Sequence, residues 1–274
     1  MKIAVIGAGN MGGALIKGLA RMADSKSEQN LLNGVSDIHV ADRNELVLQE
    51  LKKNYPSLCT FTDNVEAVKD ADVIILAVKP WLAELVCNEI SGVLDLSRQI
   101  VVSDAAGVTT DKLAEFFKSA QGLEEAQFFY VIPNIGAEFG KSMSFVSPDV
   151  AADSESTEIV TSIYRMVGDV NVCEEHMVDP GMMMASCGIA YVMRYIRAQM
   201  SAGVEMGFYP KEAQQIVMQT MEGAITLLRE TGLHPEAAID KVTTAGGISI
   251  KGLNELDHSG FNSAVIRSLK AGFK

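Results

Sequence analysis

Lys2-Ile3-Ala4-Val5-Ile6-Gly7-Ala8-Gly9-Asn10-Met11-Gly12-Gly13 opens the 274-residue chain, and its reading decides the fold class. A short β-branched apolar run predicts a strand over residues 2–6; the glycines interrupt it, and residues 13–22 read as helix. Each glycine of the Gly7-Ala8-Gly9-Asn10-Met11-Gly12 turn has a separate geometric task. Gly7 permits the tight turn, Gly9 lets a ligand approach the backbone, and Gly12 lets the helix pack close to the strand. A pyrophosphate would rest there on free N–H groups at a helix N-terminus, where the dipole favours negative charge. The pattern is weak when isolated, but here it directly follows an apolar strand and opens a helix, the context that makes it a dinucleotide fingerprint.

Outward from this turn, strand and helix signals alternate. A second strand over residues 37–41 ends at Asp42-Arg43. An acidic side chain at that place holds a ribose 2′-hydroxyl, whereas an arginine contacts a 2′-phosphate, so the two neighbours argue for different cofactors. The polar stretch 25–34 places Asp42 beyond the usual spacing of about 20 residues from the fingerprint. Further apolar strands are expected at 73–78, 99–102 and 127–132, with helices at 65–69, 81–90 and 111–117 between them. Near-continuous apolar strands alternating with helices mean a parallel sheet covered on both faces. Ligands then bind beyond the carboxyl ends of the strands, which here read Lys79-Pro80, Ala105-Ala106-Gly107 and Pro133-Asn134. Small residues and prolines at such places let a flat ring lie against the backbone.

Past residue 150 the pattern turns helical. Residues 154–167 read as a helix capped by Ser154 and closed by Gly168, and residues 170–172 as an edge strand. Helices follow over 188–202, 210–230, 235–241, 249–256 and 262–269, with Pro210 and Pro235 suited to first turns. Methionines crowd this half, Met182, Met183, Met184, Met193, Met200, Met206, Met218 and Met221 among them, as expected of a core or subunit interface. Its most distinctive stretch is Val242-Thr243-Thr244-Ala245-Gly246-Gly247-Ile248-Ser249. Two glycines and a hydroxyl residue before a helix form a concave run of N–H groups suited to a small carboxylate. Read alone, the same stretch is also an inter-helix turn in which Ser249 caps the next helix.

Composition narrows the function. With 23 Lys+Arg against 35 Asp+Glu, the net charge of -12 makes nucleic acid and anionic membrane surfaces poor partners. No apolar run reaches the length of a membrane span, and the chain starts on a strand rather than a basic leader, so a soluble cytoplasmic protein is expected. Cys59, Cys87, Cys173 and Cys187 are far apart, and His39, His176, His234 and His258 form no HxH or HExxH pair; reduced thiols and no metal are the expectation.

Together these stretches resemble pyrroline-5-carboxylate reductase. The likeness rests on the N-terminal turn, Ala77-Val78-Lys79-Pro80, Asp104-Ala105-Ala106-Gly107-Val108-Thr109, Pro133-Asn134, His234-Pro235 and the segment 242–253. It implies an α/β fold: a Rossmann-type doubly wound sheet over residues 1–172, then an all-helical dimerisation and substrate domain over 173–274. It further implies reduction of the C=N bond of 1-pyrroline-5-carboxylate to L-proline by NADPH or NADH, the last step of proline biosynthesis. By that resemblance Gly7, Ala8, Gly9, Asn10, Met11 and Gly12 hold pyrophosphate, Asp42, Arg43 and Asn64 lie by the adenosine, and Ala77, Val78, Lys79 and Pro80 line the ribose. Ala105, Ala106, Gly107 and Asn134 position the nicotinamide. Val242, Gly246, Gly247, Ile248 and Ser249 bind the substrate, with Ser249 as the catalytic hydroxyl. The implied assembly is a homodimer or a ring of dimers in which one subunit's helices complete the other's cleft. Several residues depart from the family pattern: Ala245 replaces a proline, Ile248 a small or hydroxyl residue, Ile135-Gly136 a threonine-proline pair, and Tyr130 a common basic residue; Cys187 and Ile189 are also atypical.

Two other readings remain. A 3-hydroxyacid or 6-phosphogluconate-type dehydrogenase, or another imine reductase, shares the plan, although residues 185–203 hold Arg194 and Arg197 and not the lysine such dehydrogenases use. A non-catalytic NAD(P)H-binding protein is the other.

Overall fold

The computed structural model describes residues 1–24 and 37–273. The polar stretch 25–34 lies outside the described residues. The chain divides into two compact units, Met1–Ser186 and Cys187–Lys274.

In the first unit β1 (Lys2–Ile6) runs into α1 (Asn10–Asp24), and β2 (Asp37–Ala41) follows. Next come α2 (Glu45–Asn54), β3 (Cys59–Phe61), α3 (Asn64–Val68), β4 (Val73–Leu76) and α4 (Pro80–Ile90). Then follow β5 (Ile100–Ser103), α5 (Thr110–Phe116), β6 (Gln127–Ile132), β7 (Ser142–Pro148), α6 (Ser154–Arg165) and β8 (Gly168–Val172). The eight strands form one sheet in the order β3-β2-β1-β4-β5-β6-β7-β8. Its pairs are parallel except β6–β7, which is antiparallel, so the expected all-parallel sheet gains a reversed hairpin toward one edge.

Burial explains why the central strands read so clearly. Every residue of β4 and β5 is buried, and alternate side chains feed two separate cores. Val5, Val40, Val73 and Val102 join Leu15, Leu19 and Tyr164 on one face; Ala4, Ile74 and Val101 join Val86, Leu113 and Phe117 on the other. The strand order reverses between β1 and β4. A crevice therefore opens beyond their carboxyl ends, where doubly wound sheets hold ligands.

Three elements went unread in the sequence. β3 is only Cys-Thr-Phe and half-buried, α2 buries just Leu48 and Leu51, and β7 alternates serine with apolar residues as one flank of the antiparallel pair. Two expected details are corrected. Asp153, not Ser154, caps α6, accepting from the Ser156 N–H at 2.7 Å, and Gly168 opens β8 instead of closing the helix. The helix expected from residue 188 starts ten residues earlier as α7 (Val178–Glu205). Pro180 is tolerated because first-turn N–H groups have no intrahelical partner to lose. Gly181 is required because a Cβ there would come within 2.4 Å of the Phe145 ring.

The second unit holds the remainder of α7 with α8 (Pro210–Thr231), α9 (Pro235–Val242), α10 (Ile248–His258) and α11 (Phe261–Ala271). Pro210 and Pro235 occupy first turns as expected. No described helix is long and apolar enough to cross a membrane.

Candidate functional site

The glycine turn links β1 to α1 with little room to spare. Gly7 has a φ of 100° and a Cβ on it would lie 2.6 Å from the Ala77 carbonyl oxygen; one on Gly12 would lie 2.0 Å from the Gly7 carbonyl oxygen and 2.9 Å from Ala77 Cβ. Gly9 differs, since a Cβ there would meet nothing within 4 Å. Gly7 and Gly12 thus serve the chain's own packing, while Gly9 keeps an open face beside the first turn of α1, whose initial N–H groups have no intrahelical partner. This cradle fits a pyrophosphate.

Asp42, just past β2, reaches over this turn. Its Oδ2 accepts from the Ala8 N–H at 2.7 Å and its Oδ1 from the Asn44 N–H at 2.8 Å. Arg43 is not a free loop charge: its guanidinium lies 3.7 Å from Glu89 Oε2, and the Asn64 amide donates to the same oxygen at 3.0 Å. Asp42, Arg43 and Asn64, expected to gather at one place, do so. With Leu82, Leu85 and Val86 from α4 they line a cavity of about 220 Å³, with an apolar wall and a polar mouth suited to an adenosine.

A second cavity, of about 420 Å³, continues from the first and shares Gly7, Asp42, Val78 and Leu82 with it. Gly9, Asn10, Met11, Ala77, Lys79, Pro80, Ala105 and Ala106 all line it, so most of the residues the sequence nominated meet along one groove across the switch point. Lys79 leaves the N-terminus of α4 without a side-chain cap, and Pro80 takes the first helical position.

Two nominated residues are held differently. Asn134 lines neither cavity: its N–H donates to Ser142 Oγ at 3.0 Å, its Nδ2 to the Ala185 carbonyl at 3.2 Å, and its Oδ1 accepts from the Gly136 N–H at 2.9 Å. Gly107, with a φ of 73°, donates its N–H to the Tyr130 hydroxyl at 2.8 Å, and that hydroxyl donates to Asp179 Oδ1 at 3.0 Å. Burial pushes the pKa of the Tyr130 phenol above its ordinary value, which keeps it a neutral donor. Behind it Glu175 Oε2 accepts from the Thr110 N–H and hydroxyl at 2.9 and 2.7 Å. Tyr130, singled out only as a departure, is the post that holds the alanine-glycine loop.

The sequence reading placed none of Asp104, Met182 and Ser186 in the ligand site, and all three line the larger cavity. Asp104 is the informative one. It directly follows the wholly buried β5, is 8% exposed, accepts from the buried Tyr164 hydroxyl through Oδ1, and has no hydrogen-bond partner for Oδ2 among the described residues. Burial pushes its carboxyl up to about 8, with the Tyr164 hydrogen bond opposing the shift. A charged residue ending the run Val101-Val102-Ser103 was the available signal.

Val242, Gly246, Gly247, Ile248 and Ser249 belong to the second unit. Gly246 turns the chain with a φ of 72°, and the Gly247 N–H donates to the Thr244 carbonyl at 2.8 Å. Ser249 does not cap α10. The N-cap is Gly247, which offers no side-chain bond, and Ser249 lies exposed inside the first turn. The N–H groups opening α10 are thereby left without a capping side chain.

Comparison with known proteins adds a family to this geometry. Residues 175–274 match the family model described as pyrroline-5-carboxylate reductase dimerisation, and residues 2–107 the model described as NADP oxidoreductase, coenzyme F420-dependent. Pyrroline-5-carboxylate reductase of Corynebacterium melassecola is 34% identical over 98% of this chain and 95% of its own length. Pyrroline-5-carboxylate reductase 1 of Dictyostelium discoideum is 30% identical over 97% of this chain, which spans 48% of that longer protein. Among solved structures, Plasmodium falciparum pyrroline carboxylate reductase with NADP bound superposes with a TM-score of 0.84 at 25% identity, covering 99% of this chain and 95% of its own.

Proposed function

The chain belongs to the pyrroline-5-carboxylate reductase family, and from that premise we propose that it reduces 1-pyrroline-5-carboxylate to L-proline with NAD(P)H. One observation carries the reading: a continuous groove across the β1/β4 switch point, in which the glycine cradle, Asp42, Ala77 to Pro80, Ala105 and Ala106 all take part. A bound nicotinamide supplies a hydride.

The protein's own residues do the rest by placement. Gly9 and the first turn of α1 receive the pyrophosphate on N–H groups, needed because the net charge of -12 gives no general attraction for an anion. Asp42 is suited to a ribose hydroxyl and Arg43, half-neutralised by Glu89, to a 2′-phosphate. Ala105 and Ala106, held by Tyr130 behind Gly107, present a small flat wall to the ring. Ile248 and Ser249, following the turn that Gly246 and Gly247 make, offer the uncapped amides of α10 to the substrate carboxylate, and the Ser249 hydroxyl donates to the imine nitrogen, making its carbon more electrophilic. No arginine is needed for the carboxylate. The dimerisation model over 175–274 supports an oligomer, which we take to be a homodimer or ring of dimers. Four free cysteines suit a reducing compartment such as the cytoplasm.

The test is an assay of purified protein with pyrroline-5-carboxylate and either NADPH or NADH. Turnover with one or both is expected, and turnover with neither overturns the reading. Ser249→Ala should lower kcat/KM for the imine about tenfold or more while leaving cofactor Kd unchanged, as loss of one hydrogen bond felt mainly by the reacting nitrogen requires. An unchanged kcat/KM removes the hydroxyl from the reaction.

A further inference from the structure

The groove has two ends, and the sheet order tells them apart. β2 and β3 lie on one side of the switch point, with Asp42, Arg43 and Asn64; β4, β5 and β6 lie on the other, with Ala105, Ala106 and Pro133. A dinucleotide lying across the switch point with its adenosine at the first end puts its nicotinamide at the second. Asp104 stands there, immediately before the alanines that wall the cavity. It is a carboxyl group with one oxygen committed to Tyr164 and the other without a hydrogen-bond partner, at the end of a strand with no exposed residue.

We propose that Asp104 is a redox-linked acid: it carries a proton while the reduced, uncharged nicotinamide is bound, and it favours release of that proton when the bound ring is oxidised and cationic. The inference rests on the cofactor reading above and deepens it by assigning a residue that senses the charge of the ring. The coupling between carboxyl and ring is reciprocal. A cation near a buried carboxyl stabilises the carboxylate, so the carboxylate in turn stabilises the oxidised ring over the reduced one. The pyrophosphate carries the same charge in both cofactor forms and cancels from their ratio.

Burial already places this carboxyl's titration near 8, within reach of ordinary buffers. The other charged or titratable groups around it are few. Tyr164 approaches from α6, Asp42 and Lys79 line the same cavity, and the first turn of α1 carries no acidic residue. Asp179 is engaged by Tyr130. All of these remain in place when Asp104 alone is altered, so the comparison below isolates it.

The experiment measures Kd for oxidised and reduced cofactor by calorimetry, in full-length protein without substrate, across the pH range around 8. In the wild type, Kd(oxidised)/Kd(reduced) should fall about tenfold as pH rises through the titration, the size expected of a unit charge roughly 10 Å away at an effective dielectric near 20. In Asp104→Asn the ratio should be flat. Tyr164→Phe removes the bond that opposes the raised titration, so the same fall should move to higher pH. A second readout needs no cofactor: the side-chain carboxyl 13C shift of Asp104 should titrate near 8. If both cofactor forms bind with a pH-independent ratio, or the carboxyl titrates near 4, the proposal is overturned while the family reading stands. If neither form binds, the cofactor reading itself fails.

Discussion

Replacing Asp104 by asparagine tests the buried acid through stability alone. Its carboxyl is raised from 3.8 to about 8 in the folded chain. Between those values the folded state holds a proton that the unfolded state has lost, so the stability present below the unfolded value is lost progressively as pH rises toward the folded one. At about 1.4 kcal/mol per pH unit, going from about pH 4.5 to about pH 7.5 removes roughly 4 kcal/mol attributable to this group. Asparagine keeps an acceptor for Tyr164 and places an uncharged amide where Oδ2 stood. The amide is left unpaired at a cost of about 1–3 kcal/mol, but that cost does not vary with pH. The measured quantity is therefore the pH slope and not the offset. For a chain of this size 1 kcal/mol corresponds to about 2–4 °C, so the wild-type Tm should fall by roughly 10 °C more than that of Asp104→Asn over this interval. Thermal scans at fixed protein concentration in matched buffers would read it. Parallel Tm curves for the two proteins would show that Asp104 ionises normally, and the argument built on its burial would be wrong.

Asp42→Ser removes a carboxylate that accepts from two backbone N–H groups and stands beside Arg43. The ratio of Kd values should move about tenfold or more toward NADPH, as expected for losing a charged hydrogen bond to the ribose and a repulsion toward a 2′-phosphate; an unmoved ratio places the ribose elsewhere. The two turn glycines should separate fold from function. Gly12→Ala forces a methyl to within 2.0 Å of a backbone oxygen and should lower both Tm and cofactor affinity, whereas Gly9→Ala meets nothing within 4 Å and should weaken cofactor binding with Tm unchanged. Equal effects of the two on Tm would contradict the assignment of Gly9 to the ligand.

Legibility in the sequence followed burial and periodicity. β1, β4 and β5 are buried at nearly every position, so their apolar runs were plain, and the glycine turn was plain because its three glycines stand at a fixed spacing directly between an apolar strand and a helix. β3 and β7 were missed because three half-buried residues, or serines alternating with apolar positions, carry no run to read. The start of α7 was missed because Pro180 and Gly181 signal a break, and only the distant Phe145 ring explains why a glycine continues the helix there. The site divides along the same line. Gly9, nominated for its backbone, and Asp42, nominated for its place at the end of a strand, line one groove. Asn134 and Gly107 were nominated by motif, yet their hydrogen bonds tie them to Ser142, Ala185 and Tyr130 and not to the cavity, because motif matching records a position and not the direction in which its groups are engaged. Asp104 shows the converse. Its partner Tyr164 is sixty residues away, so nothing local indicates whether that carboxyl is an exposed charge or a buried acid; the difference lies in helix α6 covering the end of β5.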